Sequence, residues 1–222
     1  QSEDLNTLVE ICHSNLENSE KCLDYLMRER KLSREDIKKS SIGFFPQNPA
    51  ILTKYISEDL LNKLSILNYS KGSDFSDYFY LIFPIYSEYN EIIGISGRTL
   101  LAEDERSYLG IPKYKNSSYK KSNILYGLNN AKEYILNSNN VYVLEGYFDQ
   151  ISMNKHNILN SVAICGTAFS QNHFLKLARY TDRITFVLDS DDAGVKSVER
   201  IYSKYISRGI RLRFLKTPEP YK

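Results

Sequence analysis

Apolar positions along this chain change spacing near residue 140. Before it, helical and strand-like stretches follow one another without a fixed order. Leu16, Leu23, Leu26 and Met27 fall near helical spacing among charged residues, which predicts a helix over residues 5–31. "LSREDIKKSSIGFFP" predicts a second helix, capped by Ser33 and ended by Gly43 and Pro46. "SEDLLNKLSIL" predicts a third, capped by Ser57. "YFYLIFPIYSEYNEIIGISGRTL" reads as two strands with a turn near Tyr89 and Asn90. "SYLGIPKYKNSSYKKSNILYGL" has no clear period and reads as a long ordered loop. A helix over residues 129–136 follows, and "NSNN" marks a boundary.

Beyond Asn140 the pattern alternates strand with helix. "VYVLEG", "NSVAICG", "RITFVLDSD" and "IRLRFL" read as strands, the first an apolar run. Between them lie "YFDQISMNKHN", "SQNHFLKLARY" capped by Ser170, and "AGVKSVERIYSKYISRG" ending at Gly209. Such alternation predicts a parallel sheet covered by helices. The expected class is therefore α/β: an α+β part over residues 1–138, then a parallel sheet with helices on both faces over residues 139–222.

Composition narrows the picture only in places. A hydrophobic share of 42% allows a real core, and a net charge of +2 points to no partner. Any nucleic-acid surface must come from local clustering. Cys12, Cys22 and Cys165 are odd in number and form no C-x-x-C pair, which argues against a disulfide framework and for a reducing, cytoplasmic setting. Neither they nor His13, His156 and His173 carry zinc spacing. No apolar run is long enough to span a membrane, and no signal peptide is visible. The start at Gln1 and the stop at "KTPEPYK" read as those of a piece of something longer.

The candidate chemistry lies at strand ends. In open parallel sheets, ligands bind beyond the carboxyl ends of the strands. Glu145-Gly146 closes the first predicted strand of the second half, Gly166-Thr167 the second, and Asp189-Ser190-Asp191 the third. Asp189 and Asp191 are two apart, so in extended chain they point the same way. Glu145 can face them from a neighbouring strand. Converging carboxylates repel unless something positive offsets them, and three of them suit a hard cation such as Mg²⁺. The plainer alternative is that Asp191 or Asp192 caps the following helix. A cap needs one aspartate, and it leaves Glu145 unexplained.

"VYVLEGYFDQISM", "AICGTAFS" and "FVLDSDDAG" together resemble the Toprim fold of bacterial DnaG-type primases. The resemblance extends upstream through "RERKLSREDIKKSSIGFFP", "YLIFPIYSEYNEIIGISGRTL", "PKYKNS" and "KKSNILYGLNNAK". It implies that Glu145, Asp189 and Asp191 hold two or more Mg²⁺ or Mn²⁺ ions and carry the catalysis. Asp149, Gly146 and Gly194 would support them. Arg98, Lys113, Asn116, Ser117 and Lys121 would grip template and nucleotide. The family's Asp-Pro-Asp after the last strand does not occur before Lys222, and the loop between "PKYKNS" and "KKSNILYG" is short.

Lys113, Tyr114, Lys115, Tyr119, Lys120, Lys121 and Tyr126 interleave cations with aromatic rings. Single-stranded nucleic acid offers phosphates to the former and base faces to the latter, with Tyr114 a candidate stacking residue. A solvated loop is the bland reading. The resemblance implies a primase catalytic core that joins NTPs into short RNA primers on single-stranded DNA, with no zinc in this stretch. A replicative helicase would be met through other regions. Another Toprim enzyme, nuclease or topoisomerase, and a non-catalytic nucleotide- or DNA-binding module are the alternatives.

Overall fold

The computed structural model describes residues 2–68, 72–166, 168–188 and 192–216. They form two compact units: Gln1–Tyr86 with Glu91–Tyr119, and Ser87–Asn90 with Lys120–Lys222.

In the first unit, α1 (Ser2–Asn15) buries Leu5, Leu8, Val9 and Cys12 at helical spacing. The single helix expected over residues 5–31 does not continue from there. A 3₁₀ turn, Leu16–Asn18, follows, and then Ser19 accepts the Cys22 amide with its hydroxyl and starts α2 (Glu20–Asp24) afresh. A serine that bonds nearby backbone favours a cap over a helix interior, which breaks the run. From α2 the chain passes into a π turn, Tyr25–Glu29. α3 (Arg34–Ser40) starts at Ser33 as expected, with a capping box completed by Asp36. β1 (Gly43–Phe44), α4 (Glu58–Lys63) and α5 (Asp74–Asp77) follow, with Ser57 capping α4.

β2 (Leu81–Tyr86) and β3 (Ile92–Arg98) form the expected hairpin, with Asn90 left-handed at φ +67° in its turn. A residue with φ > 0 suits asparagine. The stretch read as a loop holds the end of α6 (Glu103–Leu109), a short strand β4 (Tyr114–Asn116) and a 3₁₀ turn at Lys121–Asn123. β4 is too short to show a period, and its pairing is with β3 rather than with anything local. The sheet runs β1-β2-β3-β4, antiparallel throughout. Gly97 lets it close on the segment that follows α5: a β-carbon there would stand 2.1 Å from the Phe79 carbonyl oxygen.

The second unit begins with α7 (Leu128–Ser138), then β5 (Val141–Leu144), α8 (Tyr147–Lys155), β6 (Ser161–Ala163) and α9 (Gln171–Leu177). β7 (Arg183–Leu188), α10 (Asp192–Tyr205) and β8 (Arg211–Lys216) complete it. The four strands pair in the order β6-β5-β7-β8, all parallel, as the alternation predicts. Val143, Val162, Ile184 and Phe186 are fully buried, and Phe186 stacks on Phe214 at 5.2 Å between centroids. Leu128, Ala131 and Ile135 of α7 join this same core. By packing, the units therefore divide at Tyr119–Lys120, upstream of the 138/139 boundary expected from the change in pattern. The turn Ser87–Asn90 is also part of this unit, where the buried Glu88 carboxylate pairs with Arg179 and, at 3.7 Å, with Lys176.

Candidate functional site

β5 is an interior strand, and Glu145 is the first residue beyond its carboxyl end. Leu144 lies abreast of Ala163 of β6 on one side and Val187 of β7 on the other. Glu145 is half-buried, and its carbonyl accepts the Cys165 amide at 2.9 Å. Gly146 caps α8, and its amide donates to Asp149 Oδ2 at 2.8 Å. A β-carbon on Gly146 would stand 3.0 Å from that oxygen, so glycine keeps the approach open. Asp149 thus braces the turn that carries Glu145.

Past β6 the chain turns sharply, with Cys165 at φ +49° and Gly166 at φ +78°. Burial pushes the Cys165 thiol well above its ordinary pKa. The Tyr147 hydroxyl and Lys121 pull it down, and Asp149 pushes it up. Lys121 and Asp149 therefore lie within electrostatic reach of the turn that follows Glu145's neighbouring strand. Asp189 and Asp191 come directly after β7 in sequence and lie outside the described residues. Gly194 falls in the first turns of α10. Among the described residues, no group of three His, Cys, Asp or Glu could hold a metal ion.

Lys121 is placed by the start of α9. The Ser170 amide donates to His173 Nδ1 at 3.2 Å, so Nε2 carries the proton and faces the Lys121 carbonyl at 3.4 Å. Ser170 Oγ donates to the Ser122 carbonyl at 2.6 Å, and Asn172 Nδ2 to Asn123 Oδ1 at 2.6 Å. His173 is fully buried, and burial holds its pKa below the ordinary value, which keeps it neutral.

The other predicted contacts belong to the first unit. Arg98 ends β3 and is only 8% exposed. The antiparallel register sets it opposite Tyr114, and its Nη1 donates to the Tyr114 hydroxyl at 2.7 Å. Lys113 is exposed and precedes β4. Lys115 is engaged by Asp74. Asn116 Oδ1 accepts the Tyr119 hydroxyl at 2.5 Å. Buried Ser117 accepts the Ile95 amide with its hydroxyl at 2.9 Å. Ser117 thus ties the segment after β4 to β3, Asn116 bonds locally to Tyr119, and Arg98 and Tyr114 meet across the β3–β4 pair, next in sequence to exposed Lys113.

Sequence reasoning missed Tyr25 and Arg30. The Arg98 guanidinium carbon lies 5.3 Å from the Tyr25 ring centroid, and that of Arg30 lies 5.2 Å from it. Nothing in the local pattern links Tyr25 to Arg98. It missed His173 as the anchor of Lys121 too, although the Ser170 cap pointed to that turn.

Comparison with known proteins matches residues 11–132 to the model described as "DNA primase catalytic core, N-terminal domain" and residues 142–222 to a Toprim-like model. A DNA primase from Synechococcus elongatus is 34% identical over 193 residues, covering 80% of this chain and 27% of that protein. One from Pseudomonas putida is 33% identical over 208 residues, covering 89% and 31%. The chain spans roughly a third of the length of such curated relatives. Among solved structures, the zinc-binding and RNA polymerase domains of the Aquifex aeolicus primase superpose with a TM-score of 0.85 at 28% identity, covering all of this chain and 55% of that one. A DnaG primase catalytic domain bound to single-stranded DNA gives 0.79 at 25% identity, covering all of this chain and 74% of that one. With its N-terminal family model matched over more than half of its length and a Toprim-like sheet beyond it, this chain belongs to the DNA primase catalytic core family.

Proposed function

We propose that this chain is the nucleotidyl-transfer core of a primase, joining ribonucleotides on a single-stranded DNA template into short RNA primers. The observation that carries the reading is Glu145. It stands half-buried at the carboxyl end of an interior parallel strand, beside the strand whose sequence runs on into Asp189 and Asp191. That is where an open parallel sheet binds its ligand. Binding of single-stranded DNA by a structural relative supports the choice of template.

The donor set fits a hard divalent cation. Glu145, Asp189 and Asp191 offer carboxylate oxygens, the ligands Mg²⁺ or Mn²⁺ prefers. The nearby Asp149 already accepts the Gly146 amide, and the half-buried Cys165 thiol has its pKa pushed up by burial. When bound, two or more such ions would neutralise the triphosphate and favour ionisation of the attacking 3′-hydroxyl. The chain's own part is alignment. Glu145 is held by its carbonyl bond to Cys165 and by the braced Gly146 turn. Arg98 and Lys113, with Lys121 on its anchored turn, supply positive charge for phosphates, and Tyr114 offers a ring to bases. NTPs are the substrate and an RNA primer the product. A replicative helicase is a partner through other regions, in a cytoplasmic setting; among the described residues no helix is long and apolar enough to cross a membrane.

The test is template-dependent incorporation of labelled NTPs in Mg²⁺ or Mn²⁺, with Glu145→Gln alongside. Incorporation that requires the template and disappears in the variant is the expected result. Equal incorporation by the variant would remove Glu145 from the chemistry.

A further inference from the structure

β8 is the outer strand of the parallel sheet, with β7 its one neighbour among the described strands. In a parallel ladder each residue turns its N–H and C=O to the same side, and successive residues alternate. The Arg211 amide donates to the Asp182 carbonyl at 2.7 Å, so Arg211 and Arg213 direct their backbone groups at β7. Leu212 and Phe214 therefore turn theirs outward, to the edge of the sheet.

Side chains along that edge are sorted by face. Arg211, Arg213 and Leu215 are exposed on one face, while Leu212 and Phe214 are half-buried on the other and pack against the core. The register sets Arg183 of β7 abreast of Arg211, so three guanidinium groups share the first face. Asp182 pairs with two of them, its Oδ2 at 3.2 Å from Arg211 Nη2 and its Oδ1 at 3.8 Å from Arg183 Nε. Arg213 has no ion-pair partner among the described residues. The face therefore carries an excess of positive charge.

Charge on an edge strand has a plain use: it keeps copies of a protein from pairing edge to edge. Two β8 edges brought together would set guanidinium near guanidinium, which repels. The same charges accept a strand of opposite sign. Nucleic acid would engage the guanidinium groups, but it would leave the outward amides and the half-buried Leu212 and Phe214 unused.

We propose that the β8 edge binds an extended acidic segment of a partner protein by strand addition. Its carboxylates lie abreast of Arg211 and Arg213, and its alternate apolar side chains lie abreast of Leu212 and Phe214. Backbone bonds give such additions their affinity, and alternating side chains give them their specificity. Residues abreast in a sheet share a face, so the segment selected here alternates acid with apolar. Neither the acids nor the lysines of the proposed reaction take part.

The probe is a blocked, labelled peptide alternating glutamate with valine, followed by fluorescence anisotropy at several salt concentrations. One control replaces every glutamate by lysine. Another keeps the acidic sequence and methylates its backbone amides, which removes the donors and leaves the charge. Saturable binding of the acidic peptide is expected, weaker by more than about tenfold after methylation and absent for the lysine form. Arg213→Gln should weaken it about threefold, the scale of an exposed ion pair, and Arg213→Glu about tenfold, on chains whose melting is checked first. Arg211→Glu with Arg213→Glu should shift the preference to the lysine peptide. Absence of saturable binding to the unaltered chain overturns the inference. Equal binding of the methylated and parent peptides reduces the contact to bulk charge and overturns it as well. If Arg211→Gln with Arg213→Gln weakens a single-stranded oligonucleotide and spares the peptide, the face is a nucleic-acid surface and strand addition is wrong.

Discussion

In the second unit Glu145 follows β5 directly, and a brace one helical turn away in sequence, Asp149, fixes its position. In the first unit Arg98 is cradled by Tyr25 from the far N-terminal helices and by Tyr114 from a three-residue strand. On the proposed reading, the parallel sheet gathers its chemistry at strand ends, so position along the chain is nearly enough to locate it. The antiparallel unit assembles its cations by aromatic contacts across long sequence separations. Local motifs therefore reveal the acids and conceal the cradle.

The contrast is broken most forcefully at Glu145. Glu145→Gln should lower template-dependent primer synthesis on the order of 10²–10³-fold, the scale of losing one preorganised electrostatic group. Thermal melting without metal should be unchanged or raised if Asp189 and Asp191 converge on Glu145 as proposed, because one of several like charges is then gone. A parallel fall in melting temperature and synthesis would make the residue structural instead.

Phe186→Ala tests the core beneath those strand ends. Phe186 is fully buried between Phe169 and Phe214, so removing its ring should cost about 3–5 kcal/mol in denaturant unfolding. A cost under about 1 kcal/mol would show that the sheet does not depend on this stack.

His173 sharpens the comparison through pH. Its folded pKa is depressed by burial, so the unfolded chain takes up its proton first as pH falls. Its contribution is complete above the ordinary histidine value of 6.5 and declines below it, levelling off beneath the lowered folded value. The melting temperature should therefore drop as pH falls below 6.5, and His173→Gln should flatten that drop. An identical profile in the variant would assign the acid sensitivity elsewhere.

The smallest effect separates the lysines. Lys113→Ala and Lys121→Ala should each lower the salt slope of single-stranded DNA binding by about 0.7. Lys115→Ala should change it less, because Asp74 already engages that ammonium. Three equal slopes would mean that the loop acts as a diffuse charge.

The legible parts were those where local pattern and tertiary role coincide. Ser33, Ser57 and Ser170 cap helices as their positions suggested, since a cap is satisfied within three residues. β5, β6 and β7 were readable because buried parallel strands are continuous apolar runs, and edge strand β8 because Leu212 and Phe214 alternate with Arg211 and Arg213. Illegible parts depend on partners elsewhere. β4 owes its existence to β3, and the break near Ser19 turns on one side-chain bond inside an otherwise helical spacing. The π turn shifts phase by one residue, which no apolar period between Leu23 and Leu32 betrays. Ser117 reads the same in sequence whether or not its hydroxyl takes a β3 amide, as it does from Ile95.

The strand order has a consequence for how the chain acquires its shape. The β2–β3 hairpin joins neighbours in sequence and can close as soon as both strands exist. β5 lies between β6 and β7, with Val141 abreast of Ile184, so its ladder stays half-made until synthesis has passed two further helices. Ladders between distant segments bear their loop-closure entropy before contacts repay it, and such topologies fold slowly. On a ribosome, the cationic unit would be shaped early, while the acidic strand end waits, with Val141 and Val143 exposed to chaperones in the interval.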